Sequence, residues 1–159
     1  MAIYMKYGAL DGEVTTTGYE KWVECSSAQW GIGRGISSGG GGGSKREASA
    51  PSISEITLTT SMDSFSPLIL IEAIGGKGVT VKLDFTRTDN DGKHVAYQKY
   101  ILDGTMVSGY SVSSGGDRPS ESLSLNFTKM TSEYFKIDDQ FASTSAGKVI
   151  YDVALQKKT

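Results

Sequence analysis

Residues 79–86 read Val-Thr-Val-Lys-Leu-Asp-Phe-Thr. Val79, Val81, Leu83 and Phe85 alternate with Thr80, Lys82, Asp84 and Thr86. A period of two sends successive side chains to opposite faces, so this is a strand with one apolar and one polar face. The alternation returns in Leu123, Leu125 and Phe127 against Ser124, Asn126 and Thr128, and again in Val149, Tyr151, Val153 and Leu155. Weaker strand patterns cover residues 2–7, 19–30, 53–60 and 95–112. Turn signals stand between them: Asp11-Gly12, Asp89-Asn90-Asp91-Gly92, Ser114-Gly115-Gly116-Asp117 and Ala146-Gly147. Phase breaks near Lys99 and Lys129 predict β-bulges, which bend long strands and let a sheet close. About seven strands with tight turns predict a mainly β fold, a small barrel or sandwich of two packed sheets.

One helix fits. Ser66 offers an N-cap, Pro67 a first helical position that needs no N–H, and Gly75-Gly76 a stop. Residues 68–74 are short and mostly apolar, so the helix is expected to pack against the barrel.

The 159 residues are read as a single domain. Sixteen basic against eighteen acidic residues leave a net charge of -2, and no basic stripe marks a nucleic-acid partner. Cys25 is the one cysteine, so no internal disulfide forms. The longest apolar run, Leu68-Ile69-Leu70-Ile71, stops at Glu72, far short of a membrane span, and no direct membrane insertion is expected. The first residues lack the basic start and apolar stretch of a secretory signal. The expected origin is therefore cytoplasmic.

Residues 31–44, GIGRGISSGGGGGS, form the most unusual stretch. Engineered linkers also use GGGGS, but residues 31–50 are read here as a native extended loop, mobile when free and ordered on contact. The glycines do not make a nucleotide site. Gly31-x-Gly33-x-Gly35 has the wrong spacing for a dinucleotide fingerprint, and Gly43-Ser44-Lys45 lacks the order of a phosphate-binding loop.

The remaining chemistry is equally thin. Asp89-x-Asp91-Gly92 starts like a calcium loop, but without flanking helices or a closing glutamate it reads as a hairpin tip. His94, the only histidine, is expected to be an exposed hairpin residue. Cys25 is expected to be half-buried packing rather than a nucleophile. Asp138-Asp139 reads as a solvated turn, and the sequon Asn126-Phe127-Thr128 falls inside a strand. No catalytic, cofactor or metal residues are assigned, and the protein is not read as an enzyme.

Residues 107–134, VSGYSVSSGGDRPSESLSLNFTKMTSEY, resemble the signature of the haemolysin-coregulated protein (Hcp) family, the tube subunit of bacterial type VI secretion. The resembling positions are Val107-Ser108, then Ser113, Ser114, Gly115 and Gly116, then Glu121, Leu123, Leu125, Asn126 and Phe127, with Tyr134 closing the run. Asp11-Gly12-Glu13 after the first strand, Trp22-Val23-Glu24 leading to Trp30-Gly31, and Ser66-Pro67 opening the helix follow the family's order. The resemblance implies a small barrel with a flanking helix, six copies closing into a ring, and rings stacking into a hollow tube. Its implied partners are further copies of itself, the spike, sheath and baseplate proteins, and effector proteins carried in the lumen, with ejection by the secretion machine. The chain ends after its last predicted strand, so no C-terminal effector extension is expected. Within residues 31–50, Gly31, Arg34, Ser38, Gly41, Lys45 and Arg46 are the expected ring-stacking positions. Two alternatives remain: a tail-tube subunit of a phage or other contractile particle, and a soluble ring-shaped module that binds effectors.

Overall fold

The computed structural model describes residues 1–37 and 46–159; Ser38, Gly41 and Lys45 of the expected stacking loop lie outside the described residues. The elements in order are β1 (Ala2–Tyr7), β2 (Val23–Gln29), β3 (Ile32–Gly33), β4 (Ser52–Ile53), β5 (Ile56–Ser61) and α1 (Ser66–Gly75). They continue as β6 (Val79–Thr88), β7 (His94–Ser113), β8 (Ser120–Asn126), β9 (Lys129–Ile137), β10 (Ser143–Asp152) and β11 (Lys157–Lys158). Six strands close antiparallel in the order β6-β1-β2-β5-β8-β7 and back to β6. Closure removes the unpaired strand edges that an open sheet would expose.

Alternation fills the barrel. Val81 and Leu83 from β6, Ile56 and Leu58 from β5, and Leu123 and Leu125 from β8 are all essentially inaccessible, with Met5, Tyr7 and Leu102 beside them. The opposite faces of β5 and β8 pair Thr57 with Ser124 and Thr59 with Ser122, so the outer wall there is small and polar.

The long strand β7 branches the sheet. On one edge its first half pairs with β9, down to Asp103 opposite Lys129, and its second half pairs with β8 from Met106 opposite Asn126. The break lies at Gly104, whose φ of 60° few side chains adopt and where an added Cβ would sit 2.5 Å from Thr128 Oγ1. Thr128 donates its N–H to Asp103 O at 2.9 Å, holding the fork. β8 turns in to close the barrel; β9 carries β10 and β11 away from it.

Several sequence expectations are corrected. The bulge expected near Lys99 is present at Tyr97, where Phe85 faces Gln98 but Thr86 faces Ala96. The break near Lys129 is instead the fork between two strands. Ala146-Gly147 is no turn; it lies within β10 as a register shift opposite Phe135 and Tyr134, because β10 follows β9 around that bend. Val149 lies outside the core at 56% exposure, and Leu155 sits in a turn at 72%, because β10 belongs to the outer flap rather than the barrel. The strand expected over residues 19–30 begins only at Val23, Tyr19 to Trp22 being held in turns. Ser66 is the first helical residue and not the cap: its Oγ accepts the N–H of Asp63 at 3.0 Å, while Asp63 Oδ1 accepts that of Phe65. Pro67 lies in the first turn and Gly76 ends the helix as expected, its N–H bonded to Glu72 O. Only part of the helix packs inward. Ile69 and the preceding Phe65 are fully buried, whereas Leu70, Ile71 and Ile74 form an exposed apolar stripe.

Candidate assembly surfaces

The glycine-rich segment is built on the β2–β5 ribbon. Within the barrel, Cys25 faces Thr60 and Gln29 faces Thr57. Beyond Trp30 the two chains stay paired: Ile32 opposite Ile53, Gly33 opposite Ser52, and a bridge between Ile36 and Ala48. Two serines lock the arm, Ser54 Oγ accepting Gly31 N–H and Ser49 Oγ accepting Gly35 N–H, each at 2.8 Å. The N–H of Ser37 reaches Glu47 O at 2.8 Å. The described part of the expected loop is thus a two-stranded arm, since backbone pairing set up by β2 and β5 runs on past the barrel mouth. Its side chains from Gly31 to Ser37 are exposed, as are Arg34 and Arg46, and neither arginine enters an ion pair among the described residues.

At the other end of the same ribbon lies a cleft of about 520 Å³, lined by Glu13, Glu24, Asp63 and Arg118 with Thr15, Thr16, Ser26 and Ser61. Three carboxylates there face one guanidinium. Arg118 donates Nε–H to Met62 O at 2.6 Å and lies 3.4 Å from Glu13 Oε2. Asp63 is held above the ordinary carboxylate range, first by burial and then by the negative charges of Glu13 and Glu121, against the N–H it accepts from Phe65. Nothing in the sequence pairs these residues; only the barrel's closure brings Arg118 to Glu13.

The family-signature residues divide by role. Glu121, Leu125 and Phe127 point inward, with Glu121 1% exposed and its Oε2 3.4 Å from Thr60 Oγ1. Its Oε1 has no hydrogen-bond partner among the described residues. Ser114, Gly115 and Gly116 form the exposed tip between β7 and β8. Tyr134 is half-exposed on β9, edge-on to Tyr97. Most of the signature therefore records packing and turn geometry.

A second cluster escaped sequence reading. Residues 8–22 fold over the outer face of β1 and β6, stacking Tyr19 on Tyr4 with centroids 4.5 Å apart. Tyr19 donates its hydroxyl to Asp84 Oδ2 at 2.9 Å, with Lys99 Nζ 3.9 Å from the same oxygen. Asp84 occupies a polar-face position of the alternation, yet it is buried because this loop covers it, and burial raises its pKa. The loop needs Gly12, where a Cβ would meet Trp22 O at 2.4 Å. His94 belongs to the same cluster, edge-on to Tyr4 and 3.2 Å from Thr86 Oγ1, so it is half-buried rather than exposed.

The candidate catalytic groups sit in structural roles. Cys25 is fully buried, not half-buried, and burial, with Glu24 adding to it, pushes its thiol up to about 12, leaving no thiolate near neutral pH. Asp138 Oδ1 accepts the N–H groups of Gln140 and Ala142, each at 2.9 Å, which closes a turn. Asp89 Oδ1 does the same for Asp91 and Lys93. Among the described residues no group of three His, Cys, Asp or Glu is placed to hold a metal ion, and no helix is long and apolar enough to cross a membrane.

A closed six-stranded barrel with a flanking helix, a paired arm and an outer flap defines a mainly β fold that known proteins share. The family model described as "Type VI secretion system effector, Hcp" matches residues 4–134. The chain belongs to the Hcp family. A structure titled as that of a type six secretion system protein is 26% identical, covers 99% of both chains and superposes with a TM-score of 0.89. Hcp1 from Salmonella typhimurium is 21% identical over 99% of this chain and 98% of its own, with a TM-score of 0.77. A type VI secretion system effector from Yersinia pestis shares the fold at 18% identity and a TM-score of 0.72, over 95% of this chain and 99% of its own. No curated protein matches the chain.

Proposed function

We propose that this chain is a subunit of the type VI inner tube: six copies close into a ring, and rings stack through the arm of residues 31–50. The observation that carries this reading is the arm itself, a ribbon that leaves a closed barrel with its side chains exposed. A segment whose described residues lie outside its own barrel's core is suited to contact another molecule. The exposed stripe of Leu70, Ile71 and Ile74 supports ring closure, because contiguous apolar surface is normally covered by a partner. The Ser/Thr wall of β5 and β8 suits a wetted lumen in which effector proteins travel. Spike, sheath and baseplate proteins are the further partners of such a tube, and ejection delivers the subunit outside the cell. The role is structural, without catalysis.

Light scattering with negative-stain images of the same sample tests it. Rings of six times 17.0 kDa are expected. A chain that stays monomeric at high concentration overturns the ring. Deleting residues 38–43 is expected to leave rings and abolish tubes; tubes that persist overturn the role of the arm.

A further inference from the structure

We propose that the cleft formed by Glu13, Glu24 and Asp63 receives the arm, with Arg34 and Arg46, of a second copy of this chain stacked head to tail. This rests on the reading of the arm as the stacking element and names its receptor. Arm and cleft are built on opposite ends of one antiparallel ribbon. The arm continues the pairing beyond Gln29 and Ile56, while Glu24, Ser26 and Ser61, at the far ends of β2 and β5, line the cleft. A contact between two different ends of the same element is heterologous, and repeated along one axis it builds an open stack rather than a closed dimer.

The distances allow it. Residues 30–37 advance roughly 25 Å at about 3.3 Å per residue, comparable with the roughly 20 Å spanned by the six residues of β5. The arm can therefore pass one barrel's mouth and enter its neighbour.

Charge favours the same pairing. The cleft holds three carboxylates against the single cation Arg118, and the buried Glu121 adds its negative charge to Asp63 from the barrel side. A cation entering there relieves like-charge repulsion. Arginine suits the task because its planar fork meets a carboxylate with two parallel hydrogen bonds. Each exposed pair is weak and screened by salt, so the stack gains its strength from repetition around the ring and stays reversible.

Cross-linking reads the contact directly. In a Cys25→Ala background, Arg34→Cys combined with Glu24→Cys is mildly oxidised in concentrated solution and run on a non-reducing gel. A ladder of linked chains is expected, weakened at high salt, with neither single-cysteine variant giving one. Independently, Glu24→Arg is expected to abolish tubes while leaving rings, and adding Arg34→Glu and Arg46→Glu to it is expected to restore them. If the pair gives no ladder, or Glu24→Arg leaves tubes intact, while deletion of residues 38–43 still abolishes tubes, the cleft is not the receptor and the arm still stacks rings. If tubes also survive that deletion, the stacking role of the arm fails with it.

Discussion

Inside the barrel the β2–β5 ribbon and the arm that prolongs it share one backbone pairing and almost nothing else. Ile56 and Leu58 of the inner part are fully buried among Leu123, Leu125 and Val81. Ile32 and Ile36 of the outer part remain about half exposed, and the hydroxyls of Ser54 and Ser49 lock its backbone. Burial of apolar surface is the dominant favourable term in folding, so the inner ribbon carries stability. A solvent-exposed backbone hydrogen bond nets far less. One continuous ribbon is thus a structural wall at one end and an exposed arm at the other.

The largest expected effect lies in the wall. Leu58→Ala removes a fully buried side chain and is expected to cost about 2–5 kcal/mol in chemical denaturation, whereas Ile32→Ala should stay within about 0.5 kcal/mol. Equal losses at the two positions would break the comparison. Next comes the fork of the sheet. Gly104→Ala must adopt a positive φ and displace Thr128, with an expected cost of about 1–3 kcal/mol and, because β8 and β9 diverge there, weakened protection of both strands in amide exchange.

A subtler effect concerns Asp84, beneath the loop of residues 8–22. Burial raises its folded-state pKa above the unfolded value near 3.8. The folded state then binds the proton more tightly, so stability rises as pH falls through the folded pKa, and the gain is complete below the unfolded one. Asp84→Asn, which can still accept from Tyr19, is expected to flatten that rise in melts taken across the acid range; an unchanged pH profile would show that Asp84 is not its source. Smallest of all is the change expected in the arm. Ser49→Ala with Ser54→Ala should leave denaturation within about 0.5 kcal/mol while speeding amide exchange at Gly31 and Gly35. A large loss of global stability there would mean that the arm helps to hold the barrel.

The barrel was readable in the chain because alternation reports burial directly. Val81, Leu83, Leu123 and Leu125 each stand at the apolar phase of a period-two pattern, and each lies in the core. The pattern failed in part at the flap: Val149 to Leu155 alternate as cleanly, but alternation does not say whether another layer covers each position, and here Val153 packs on the core while Val149 and Leu155 stay exposed. Ser66 misled for a local reason, since a serine beside a proline fits an N-cap or the first turn equally well, and here the hydroxyl turned back to Asp63. Glycine-rich composition suggested a loop at residues 31–50, yet pairing imposed by β2 and β5 overrode that preference in the described part.

The sequence by itself determined the class of fold, the strands of the closed barrel and the family signature, because each follows from spacing along the chain. It also placed two arginines in a glycine-rich segment and spread acidic residues widely. Only the tertiary structure decided that Arg118 meets Glu13, that Asp84 is buried under a loop, and that arm and acidic cleft stand at opposite ends of one ribbon. These are relations between residues up to 105 positions apart, set by how the sheet closes and forks. No local pattern encodes such closure, because it is the buried core, shared by all six strands, that selects it.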